Sequence, residues 1–481
     1  MFESMDDVFG SLQKAAARSP GSIAIASRAG FLNYERFVGN IDSAAAAATK
    51  SGIKPGQLVV LALANPDMAL IVALALMRIG CRVGYSQTLA LYDFSGIPVD
   101  AVIVDKSSTV IGRPVIVAGA DWFAGAAAGN EKPPPVAAES SIIFATSGST
   151  GQPKLVEWSQ VALLHRAACR TANLNPVSRA RCLTVLGNTV GGAFMEWLSI
   201  LASGGTIVRS PDRTGGAILD TIQVFCPDYL TVAPATLNQM FQSLKKMPRA
   251  LTKVRLLRTT GAYCPPELQT AALELIAREV VSNYGAREVG WVAGGNSIDT
   301  RKVERSVGRI FDGVEVATFD GQGQRLPVGA EGEIRVKVPD GVAGTYLGKF
   351  ADQQNTFTAG WFSTGDLGLV DDERNLIIRG RATNVINLGG NKVSPELFEG
   401  QISALAAVLD VGVTGLETAD GSEFVCAAIV SSSALTLEDI NAHLRQRKVA
   451  VPVHVVKNVP AIPKTDNGKI DRVALKRLCA G

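Results

Sequence analysis

Two kinds of apolar pattern alternate along most of the chain. Short apolar runs typical of buried strands precede longer runs with helical spacing, as in residues 57–64 and then 67–79. Because parallel strands of one sheet are joined through crossover helices, this alternation predicts an α/β fold with largely parallel strands. We expect helices to cover both faces of such a sheet.

The pattern changes after residue 300. In residues 306–380 the strand-like segments VEVATF and GEIRVKV flank a DGQG turn, which predicts a smaller β-rich unit. From about residue 384 onward helices and strands mix again, and we expect a separate small unit there. Residues 124–138 are rich in Ala, Gly and Pro, so we expect them to cross the surface between two subdomains.

Composition places the chain among ordinary globular proteins. It has 481 residues, 47% hydrophobic and 19% charged, a length that suggests roughly three structural units. The net charge is +3, and Lys and Arg are scattered, so no basic face argues for a nucleic-acid partner. A small-molecule substrate is therefore the better expectation.

The cysteines and the apolar segments indicate in which cellular compartment the protein is expected and whether a membrane span is expected. The seven cysteines are an odd number without a C-x-x-C pair, and the acidic start MFESMDD does not resemble a signal peptide. We expect a reducing cytoplasm. Residues 58–80 are strongly apolar, but Asn65, Pro66 and Asp67 interrupt them, so a strand, a turn and a buried helix are expected instead of a membrane span.

The segment 141–154, SIIFATSGSTGQPK, carries the clearest chemistry. Residues 142–144 predict a buried strand, and a loop rich in backbone N–H and hydroxyl donors follows it. Glycines permit close approach to an anion and the lysine adds positive charge, so the loop predicts phosphate binding. Its spacing differs from the common nucleotide loop, and a flexible surface loop is the alternative. The loop residues are Thr146, Ser147, Gly148, Ser149, Thr150, Gly151 and Lys154.

Five further segments follow in order: SNYGAREVG (282–290), SVGR (306–309), GWFSTGDLG (360–368), IIRGRATNVINLGGNKVSP (377–395) and PKTDNGKIDR (463–472). With the phosphate loop and the segment beginning LNYERFVGN, this series resembles the adenylate-forming superfamily: acyl-CoA synthetases, adenylation domains of nonribosomal peptide synthetases and firefly luciferase. The resemblance spans nearly the whole chain. It implies a large N-terminal domain of doubly wound subdomains and a β-rich subdomain over residues 1–382. A small mobile α+β lid domain is implied over residues 383–481.

The implied reaction is the attack of a carboxylate on the α-phosphorus of ATP, with release of pyrophosphate. Two anions must be brought together and their developing charge neutralised, but no strong base is needed, because carboxylates are already ionised near pH 7. This agrees with the presence of only three histidines, His165, His443 and His454, none of which lies in a motif. We expect them to be structural.

The resemblance also implies a nucleotide site. The phosphate loop would hold the β- and γ-phosphates, and Glu288 would be the Mg²⁺ ligand, a hard oxygen donor for a hard cation. Tyr284 offers a flat face for adenine. Without the resemblance, a surface carboxylate and ordinary core packing are the alternatives for these two residues. The other adenine-side candidates are Gly261, Ala262, Asn283 and Gly285.

Three charged residues complete the implied site. Asp366, between two glycines, would accept hydrogen bonds from both ribose hydroxyls, although a lone turn aspartate usually caps its own turn. Arg381 would be a second ribose and phosphate contact, its alternative being a surface salt bridge. Lys469 would enter the site in the adenylation pose and leave it when the lid rotates about Ala382 and Thr383.

The chain departs from the family pattern at several positions. The hinge position usually carries Asp or Lys but is Thr383 here, and the residue before Glu288 is usually Thr or Ser but is Arg287 here. Arg287 either contacts the α-phosphate or crowds the site. Leu155 replaces a common glycine, and the segment after Gly84 is short and lacks the usual proline.

The sequence restricts the chemical class of the acid and of the acyl acceptor only in part. Amino-acid-activating relatives place an aspartate where an ungapped alignment puts Gly191, which disfavours an α-amino acid, because an unpaired buried ammonium would be costly. The leading hypothesis is an ATP- and Mg²⁺-dependent acid–CoA ligase. One alternative passes the acyl group to a carrier-protein phosphopantetheine or an amine, and another is a binding protein without catalysis. A homodimer is compatible with the sequence.

Overall fold

The structure is a computed structural model. It describes residues 8–85, 89–105, 113–123, 135–137, 139–146, 154–174, 179–187, 191–300, 303, 305–349, 351, 357–388, 391–405, 407–418, 423–447, 449–464 and 470–481. Most of the interval 124–138, which was expected to cross the surface between subdomains, lies outside this part of the chain.

The helices are α1 (Val8–Arg18), α2 (Tyr34–Lys50), α3 (Pro66–Arg78), α4 (Ala90–Ser95), α5 (Gln160–Leu174), α6 (Gly191–Ala202), α7 (Gly215–Phe225), α8 (Pro234–Lys246), α9 (Pro266–Leu275), α10 (Ser297–Thr300), α11 (Pro395–Ile402), α12 (Leu437–Gln446) and α13 (Arg472–Ala480). Short 3-10 turns lie at Ala120–Phe123 and Ala382–Asn384.

The strands of the first half are β1 (Ile23–Ser27), β2 (Gly30–Asn33), β3 (Leu58–Ala62), β4 (Arg82–Gly84), β5 (Ala101–Val104), β6 (Val115–Val117), β7 (Ser141–Thr146), β8 (Lys154–Ser159), β9 (Arg181–Thr184), β10 (Thr206–Val208), β11 (Tyr229–Val232), β12 (Val254–Thr260) and β13 (Ala277–Ala286). Those of the second half are β14 (Gly290–Asn296), β15 (Ser306–Ile310), β16 (Glu315–Phe319), β17 (Gly332–Lys337), β18 (Thr345–Tyr346), β19 (Phe357–Thr358), β20 (Trp361–Val370), β21 (Asn375–Arg381), β22 (Ile386–Leu388), β23 (Asn391–Val393), β24 (Val408–Glu417), β25 (Glu423–Ser431) and β26 (Val455–Asn458).

A seven-stranded sheet, in the order β18-β8-β7-β4-β3-β5-β6, carries the start of the phosphate loop. Strands β7, β4, β3, β5 and β6 are parallel, whereas β8 runs antiparallel to β7 and to β18. The predicted strand at 142–144 is the fully buried centre of β7. The strand and helix expected at 57–64 and 67–79 are β3 and α3, which confirms the alternating pattern.

Helix α3 shows why the apolar run after residue 66 is not a membrane span. Asn65 caps it by accepting hydrogen bonds from the backbone N–H groups of Asp67 and Met68, and Pro66 occupies its first turn. Every residue from Ala69 to Arg78 is buried, because the helix packs into the core of this subdomain. Among the described residues, the structure contains no helix long and apolar enough to cross a membrane.

A second, 14-stranded sheet changes direction in the middle. From β1 through β10, β9, β11 and β12 to β13 the strands are parallel, and from β13 through β14, β15, β21, β20 and β17 to β16 they are antiparallel. The β-rich unit expected at 306–380 therefore continues this sheet and is not a separate one. The unit joins the larger sheet where β15 pairs with β14, the strand that precedes it in the chain. Inside the unit, β21 pairs with β15 over a long sequence separation.

The residues after 384 form their own small unit. Strands β24, β25 and β26 make a three-stranded sheet, β22 and β23 make a hairpin, and α11, α12 and α13 surround them. Phe398, Val413, Val425 and Ile440 are among its fully buried core residues. This unit has the mixed α and β composition expected for the lid, and the boundary at 382/383 stays a prediction.

Candidate active site

A cavity of about 1850 Å³ opens between the sheets and the C-terminal unit. Its walls include residues of β8, β13, β20 and β21, together with α11 and the start of β24. It is larger than the ~300–1,000 Å³ of a typical single-ligand pocket, which leaves room for two substrates. It brings together the sequence-predicted residues Lys154, Gly261, Ala262, Asn283, Tyr284, Gly285, Glu288, Asp366 and Arg381.

Some predicted residues lie beyond what the structure describes. Residues 147–151 of the phosphate loop and Lys469 are outside the described part of the chain, and Thr146 is described only as the end of β7. There its Cα is in register with that of Lys154 on β8. Ile470, the residue after Lys469, lines the cavity.

Asp366 is the centre of one polar cluster. Its Oδ2 accepts a hydrogen bond from Tyr284 Oη at 2.5 Å, and its Oδ1 lies 2.8 Å from Arg381 Nε. Gly365 precedes it with φ of +70°, a left-handed conformation that favours glycine, so the strand can turn the carboxylate towards the cavity. A carboxylate has about four acceptor positions, so it can bind several donors at once.

Tyr284 packs against the hydrophobic core and also has a polar partner in Asp366. Burial raises the pKa of its hydroxyl well above the usual value, and the negative charge of Asp366 raises the pKa further. The group stays protonated and donates to Asp366 at every physiological pH. Its ring remains part of the cavity wall, as the adenine hypothesis requires.

Asn283 has a side chain without a partner in the described structure. Its Nδ2 and Oδ1 atoms are both buried and make no hydrogen bond to any described residue. Such a group is costly unless a ligand or water satisfies it. Asn283 pairs in register with Thr260 of β12, directly before Gly261, which has φ of +90°. An amide donor and acceptor thus lie on β13 beside the end of β12, on the cavity wall.

Glu288 is at the centre of a second cluster. Its side chain is buried, and its Oε1 accepts a hydrogen bond from Tyr346 Oη at 2.6 Å. Lys154 Nζ lies 4.9 Å from the centre of the Tyr346 ring, within the range of a cation–π contact. Burial and the Glu288 charge raise the pKa of Tyr346, which keeps this hydroxyl a donor.

The backbone around Glu288 is held by donors from distant parts of the chain. Arg166 of α5 donates to the carbonyl of Arg287 at 2.7 Å and to that of Glu288 at 2.9 Å. Trp158 Nε1 also donates to the Arg287 carbonyl, at 2.8 Å. Burial lowers the pKa of Arg166 to about 9 and that of Arg287 to about 10, so both remain cations at pH 7.

Sequence reasoning missed Trp158, Arg166 and Tyr346. Each lies far along the chain from Glu288, and none stands in a motif that the sequence analysis used. Tyr346 reaches this cluster through the pairing of β18 with β8. In that pairing Tyr346 lies opposite Val156, which is two residues after Lys154 in the chain.

Another part of the wall comes from α6. A Cβ atom on Gly191 would lie 2.4 Å from Trp158 Cη2, so the helix packs directly against the indole. Glu196 is an acidic residue of this helix that lines the cavity, and its Oε1 is 2.7 Å from Arg258 Nη1. Thr231 Oγ1 also donates to Glu196 Oε1, at 2.8 Å. The charge of this carboxylate is therefore already neutralised within the wall.

Both the fold and the cavity are those of an adenylate-forming enzyme. The chain belongs to the family of AMP-binding enzymes, because the AMP-binding enzyme family model matches residues 95–347. The model of the AMP-binding enzyme C-terminal domain matches residues 398–469. This confirms the resemblance on which the sequence analysis depended, and with it the expectation of an AMP-forming ligase.

Named relatives and solved structures agree with this assignment. The chain is 27% identical to salicyl-AMP ligase / salicyl-S-ArCP synthetase of Mycobacterium tuberculosis, over 97% of this chain and 89% of that protein. It is 24% identical to 2-hydroxy-7-methoxy-5-methyl-1-naphthoate–CoA ligase of Streptomyces carzinostaticus, covering 97% and 92%. The amide bond synthetase McbA from Marinactinospora thermotolerans superposes with a TM-score of 0.83 at 24% identity, covering 98% and 99%. This last likeness confirms the α/β fold.

Proposed function

We propose that this protein activates a carboxylic acid with ATP to an acyl-adenylate, releases pyrophosphate, and transfers the acyl group to the thiol of CoA. The observation that carries the proposal is the convergence of two clusters in one cavity, Tyr284–Asp366–Arg381 and Lys154–Tyr346–Glu288. The first suits a nucleoside and the second suits phosphates with a cation. Together they match the two ends of ATP.

The nucleoside end is supported by two polar side chains of the cavity wall. Asp366, held by Tyr284 and Arg381, would accept hydrogen bonds from the ribose hydroxyls. The buried amide of Asn283 offers a donor and an acceptor, the complement of an adenine edge. Gly261, Ala262 and Gly285 complete this part of the wall.

The phosphate end is supported by Lys154 and the loop that precedes it. Lys154 is buried at the start of β8, where its ammonium group lies over the Tyr346 ring. The sequence of the preceding loop is rich in hydroxyl and backbone N–H donors. We propose that it neutralises the β- and γ-phosphates with Thr146, Ser147, Gly148, Ser149, Thr150 and Gly151.

Glu288 fits a Mg²⁺ ion, because this ion takes one or two protein carboxylates and completes its shell with phosphates and water. The described residues contain no cluster of three metal-ligating side chains, so the ion would depend on the nucleotide for its other ligands. When bound, Mg²⁺ would neutralise charge on the leaving pyrophosphate. Tyr346 orients the Glu288 carboxylate by donating to one oxygen, which leaves the other oxygen for the ion.

The acid is best accommodated against Trp158, Gly192 and Met195, which line the same cavity. We propose a flat, apolar carboxylic acid, such as an aryl acid. The ion pair of Glu196 with Arg258 leaves no free acidic charge for an α-ammonium group at this wall, which agrees with the alignment of Gly191. Both relatives named above act on aryl acids according to their names.

The C-terminal unit is proposed as the moving lid. In adenylation Lys469 would bridge the substrate carboxylate and the α-phosphate, and afterwards the lid would rotate about Ala382 and Thr383 to admit the thiol. An amine or a carrier-protein phosphopantetheine is the second candidate acceptor. The observation in favour of an amine is the fold shared with an amide bond synthetase over 98% of the chain.

Acid-dependent exchange of labelled pyrophosphate into ATP tests the first half-reaction. The full-length protein is assayed with a panel of aryl, aliphatic and amino acids, with a reaction without acid as the control. We expect exchange with at least one aryl acid, and its absence across the whole panel would favour a binding protein. Adding CoA, a phosphopantetheinyl carrier protein or an amine to the best acid then identifies the acceptor by product mass.

A further inference from the structure

Arg287 occupies a fixed position on the turn between β13 and β14. Its carbonyl accepts hydrogen bonds from Trp158 Nε1 at 2.8 Å and from Arg166 Nη1 at 2.7 Å. These two donors come from β8 and α5, so the turn is tied to the phosphate-loop subdomain. The backbone that carries the Arg287 side chain is therefore set before any ligand binds.

The Arg287 side chain is a cation of the cavity wall, and one of its terminal nitrogens has no hydrogen-bond partner among the described residues. Its Nη1 is buried and makes no hydrogen bond to any residue that the structure describes. The neighbouring Glu288 carboxylate instead accepts from Tyr346. A buried guanidinium nitrogen without an acceptor is costly, because it has lost water and gained nothing in return. Such a group is satisfied when an anion enters the cavity.

The order of residues along this turn matches the order of groups along ATP. Tyr284 adjoins Asp366, the proposed ribose contact, and Glu288 adjoins Tyr346 and Lys154, the proposed contacts of the outer phosphates and Mg²⁺. The α-phosphate is the covalent link between ribose and outer phosphates. Arg287 lies between Tyr284 and Glu288 in the chain, with its side chain on the same cavity wall.

We propose that Arg287 binds the non-bridging oxygens of the α-phosphate, in ATP and in the acyl-adenylate. This inference rests on the proposed function. The planar guanidinium presents paired N–H donors that match phosphate oxygens, which a threonine or serine hydroxyl at this position cannot do. Arg287 would thus be a catalytic residue particular to chains with arginine before the metal-binding glutamate.

The chemical step explains what the cation would contribute. A carboxylate oxygen forms a bond to the α-phosphorus, the bond from phosphorus to the bridging oxygen breaks, and pyrophosphate leaves with that electron pair. Negative charge on the non-bridging oxygens must be held throughout, and afterwards the acyl-adenylate keeps one negative charge there. A fixed cation at these oxygens stabilises both the transition state and the bound intermediate.

Binding of AMP and of adenosine to the full-length protein separates the α-phosphate from the nucleoside. Calorimetry is performed on wild type, Arg287→Gln, Arg287→Lys and Arg287→Thr. We expect wild type to bind AMP more tightly than adenosine. Arg287→Gln should lose at least about 10-fold in AMP affinity, the effect of removing a charged hydrogen bond, with adenosine affinity unchanged. Arg287→Lys should lose less, because it keeps the charge.

A matched control is Arg213→Gln, which removes an exposed arginine that also lines the cavity and should change neither affinity. Circular dichroism and thermal unfolding test whether each variant is folded. If Arg287→Gln does not fold, Arg287→Lys and Arg287→Thr are compared with wild type instead. Suppose that wild type binds AMP more tightly than adenosine while Arg287→Gln binds AMP as tightly as wild type does. This result would overturn the role of Arg287 and leave the proposed function standing.

Three other outcomes are also decisive. If Arg287 instead held the carboxylate of the acid, AMP affinity would be unchanged and only the KM for the acid would rise in pyrophosphate exchange, which overturns the inference. If wild type binds neither AMP nor ATP, the inference and the proposed function both fail. Faster exchange by Arg287→Thr than by wild type would show that Arg287 crowds the site, against the inference.

Discussion

At the scale of single residues, the proposed site uses carboxylates that are held by tyrosine hydroxyls. Asp366 and Glu288 each accept a hydrogen bond from a tyrosine, at 2.5 Å and at 2.6 Å respectively, and Asp366 also pairs with Arg381. A tyrosine is suited to this role, because burial holds its pKa high and it remains a donor. Each carboxylate is thus oriented by a neutral donor.

The first prediction concerns the ribose contact. Asp366→Ala removes the charged acceptor proposed for two ribose hydroxyls, which should weaken ATP binding by about 1.5–3 kcal/mol. Calorimetry with ATP measures this loss. Asp372→Ala removes an exposed carboxylate in the turn after β20 and serves as the control. A folded Asp366→Ala protein with wild-type ATP affinity would contradict the assignment.

The second prediction concerns the metal ligand. Glu288→Gln keeps the size of the side chain and an acceptor for Tyr346, but removes the charge that would hold Mg²⁺. Pyrophosphate exchange should fall and recover in part as Mg²⁺ is raised. The rate is measured against Mg²⁺ concentration for both proteins, and superimposable Mg²⁺ profiles would reject Glu288 as a ligand.

At the scale of elements, the packing of α6 on β8 shapes the proposed acid pocket. Gly191 starts this helix where a Cβ would lie 2.4 Å from Trp158 Cη2, so the helix approaches the indole as closely as glycine allows. The indole in turn is fixed by its hydrogen bond to the Arg287 carbonyl. The wall proposed to bind the acid and the turn that carries Glu288 are therefore in direct contact.

The third prediction tests this contact. Gly191→Ala forces the helix and Trp158 apart, which should destabilise the protein by about 1–3 kcal/mol and change the order of preferred acids. Denaturant unfolding and the acid panel measure the two effects. Gly216→Ala, in α7 where a Cβ would meet nothing within 4 Å, should be neutral or slightly stabilising. Similar behaviour of the two variants would show that the Gly191–Trp158 contact is unimportant.

The fourth prediction concerns the turn Ala382–Asn384. Proline at position 383 fixes one backbone torsion in the proposed hinge, so Thr383→Pro should slow thioester formation more than adenylation. Both half-reactions are measured separately, with Thr383→Ala as the control. Equal slowing of the two steps would place the hinge elsewhere.

The sequence was sufficient for elements whose pattern is local. Strand β3 with helix α3, and the buried strand β7 before the phosphate loop, follow from apolar runs and an asparagine–proline cap. Tyr346 and Arg166 could not be found in this way, because their contacts with Glu288 join residues 58 and 122 positions apart. The pairing of β21 with β15 inside the β-rich unit depends on the same kind of long-range contact.

At the scale of the whole molecule, two contacts join the C-terminal unit, which we propose as the lid, to the rest of the chain. Asn238 Nδ2 of α8 donates to the carbonyl of Leu409 at 2.8 Å, and Glu267 and Arg447 form an ion pair of 3.4 Å. The ion pair is solvent-exposed on both sides, and such pairs contribute about 0–1 kcal/mol. Contacts of this kind break at little cost.

The fifth prediction follows from a lid that moves between the two half-reactions. Lys469 lies next to Ile470, a residue of the cavity wall, and we propose that its ammonium group bridges carboxylate and α-phosphate during adenylation only. Lys469→Ala should then lower acyl-adenylate formation by about 10²-fold or more, the effect of removing a preorganised charge-stabilising donor. Thioester formation from supplied acyl-adenylate should change little, because rotation has carried the lysine away from the second transition state.

Comparison of Lys469 with Lys464 makes this test specific to position. Lys464 belongs to the same C-terminal unit and lines the same cavity, but its Nζ is paired with Asp410 Oδ2 at 2.5 Å. Because that charge is already used within the unit, Lys464→Ala should affect the two half-reactions alike, through packing of the unit, and far less than Lys469→Ala affects adenylation. Rapid-quench measurement of each half-reaction decides between the two patterns. Equal losses in both steps for Lys469→Ala would mean that the lysine does not leave between them, and the two-pose mechanism would be wrong for this protein even if adenylation itself were confirmed.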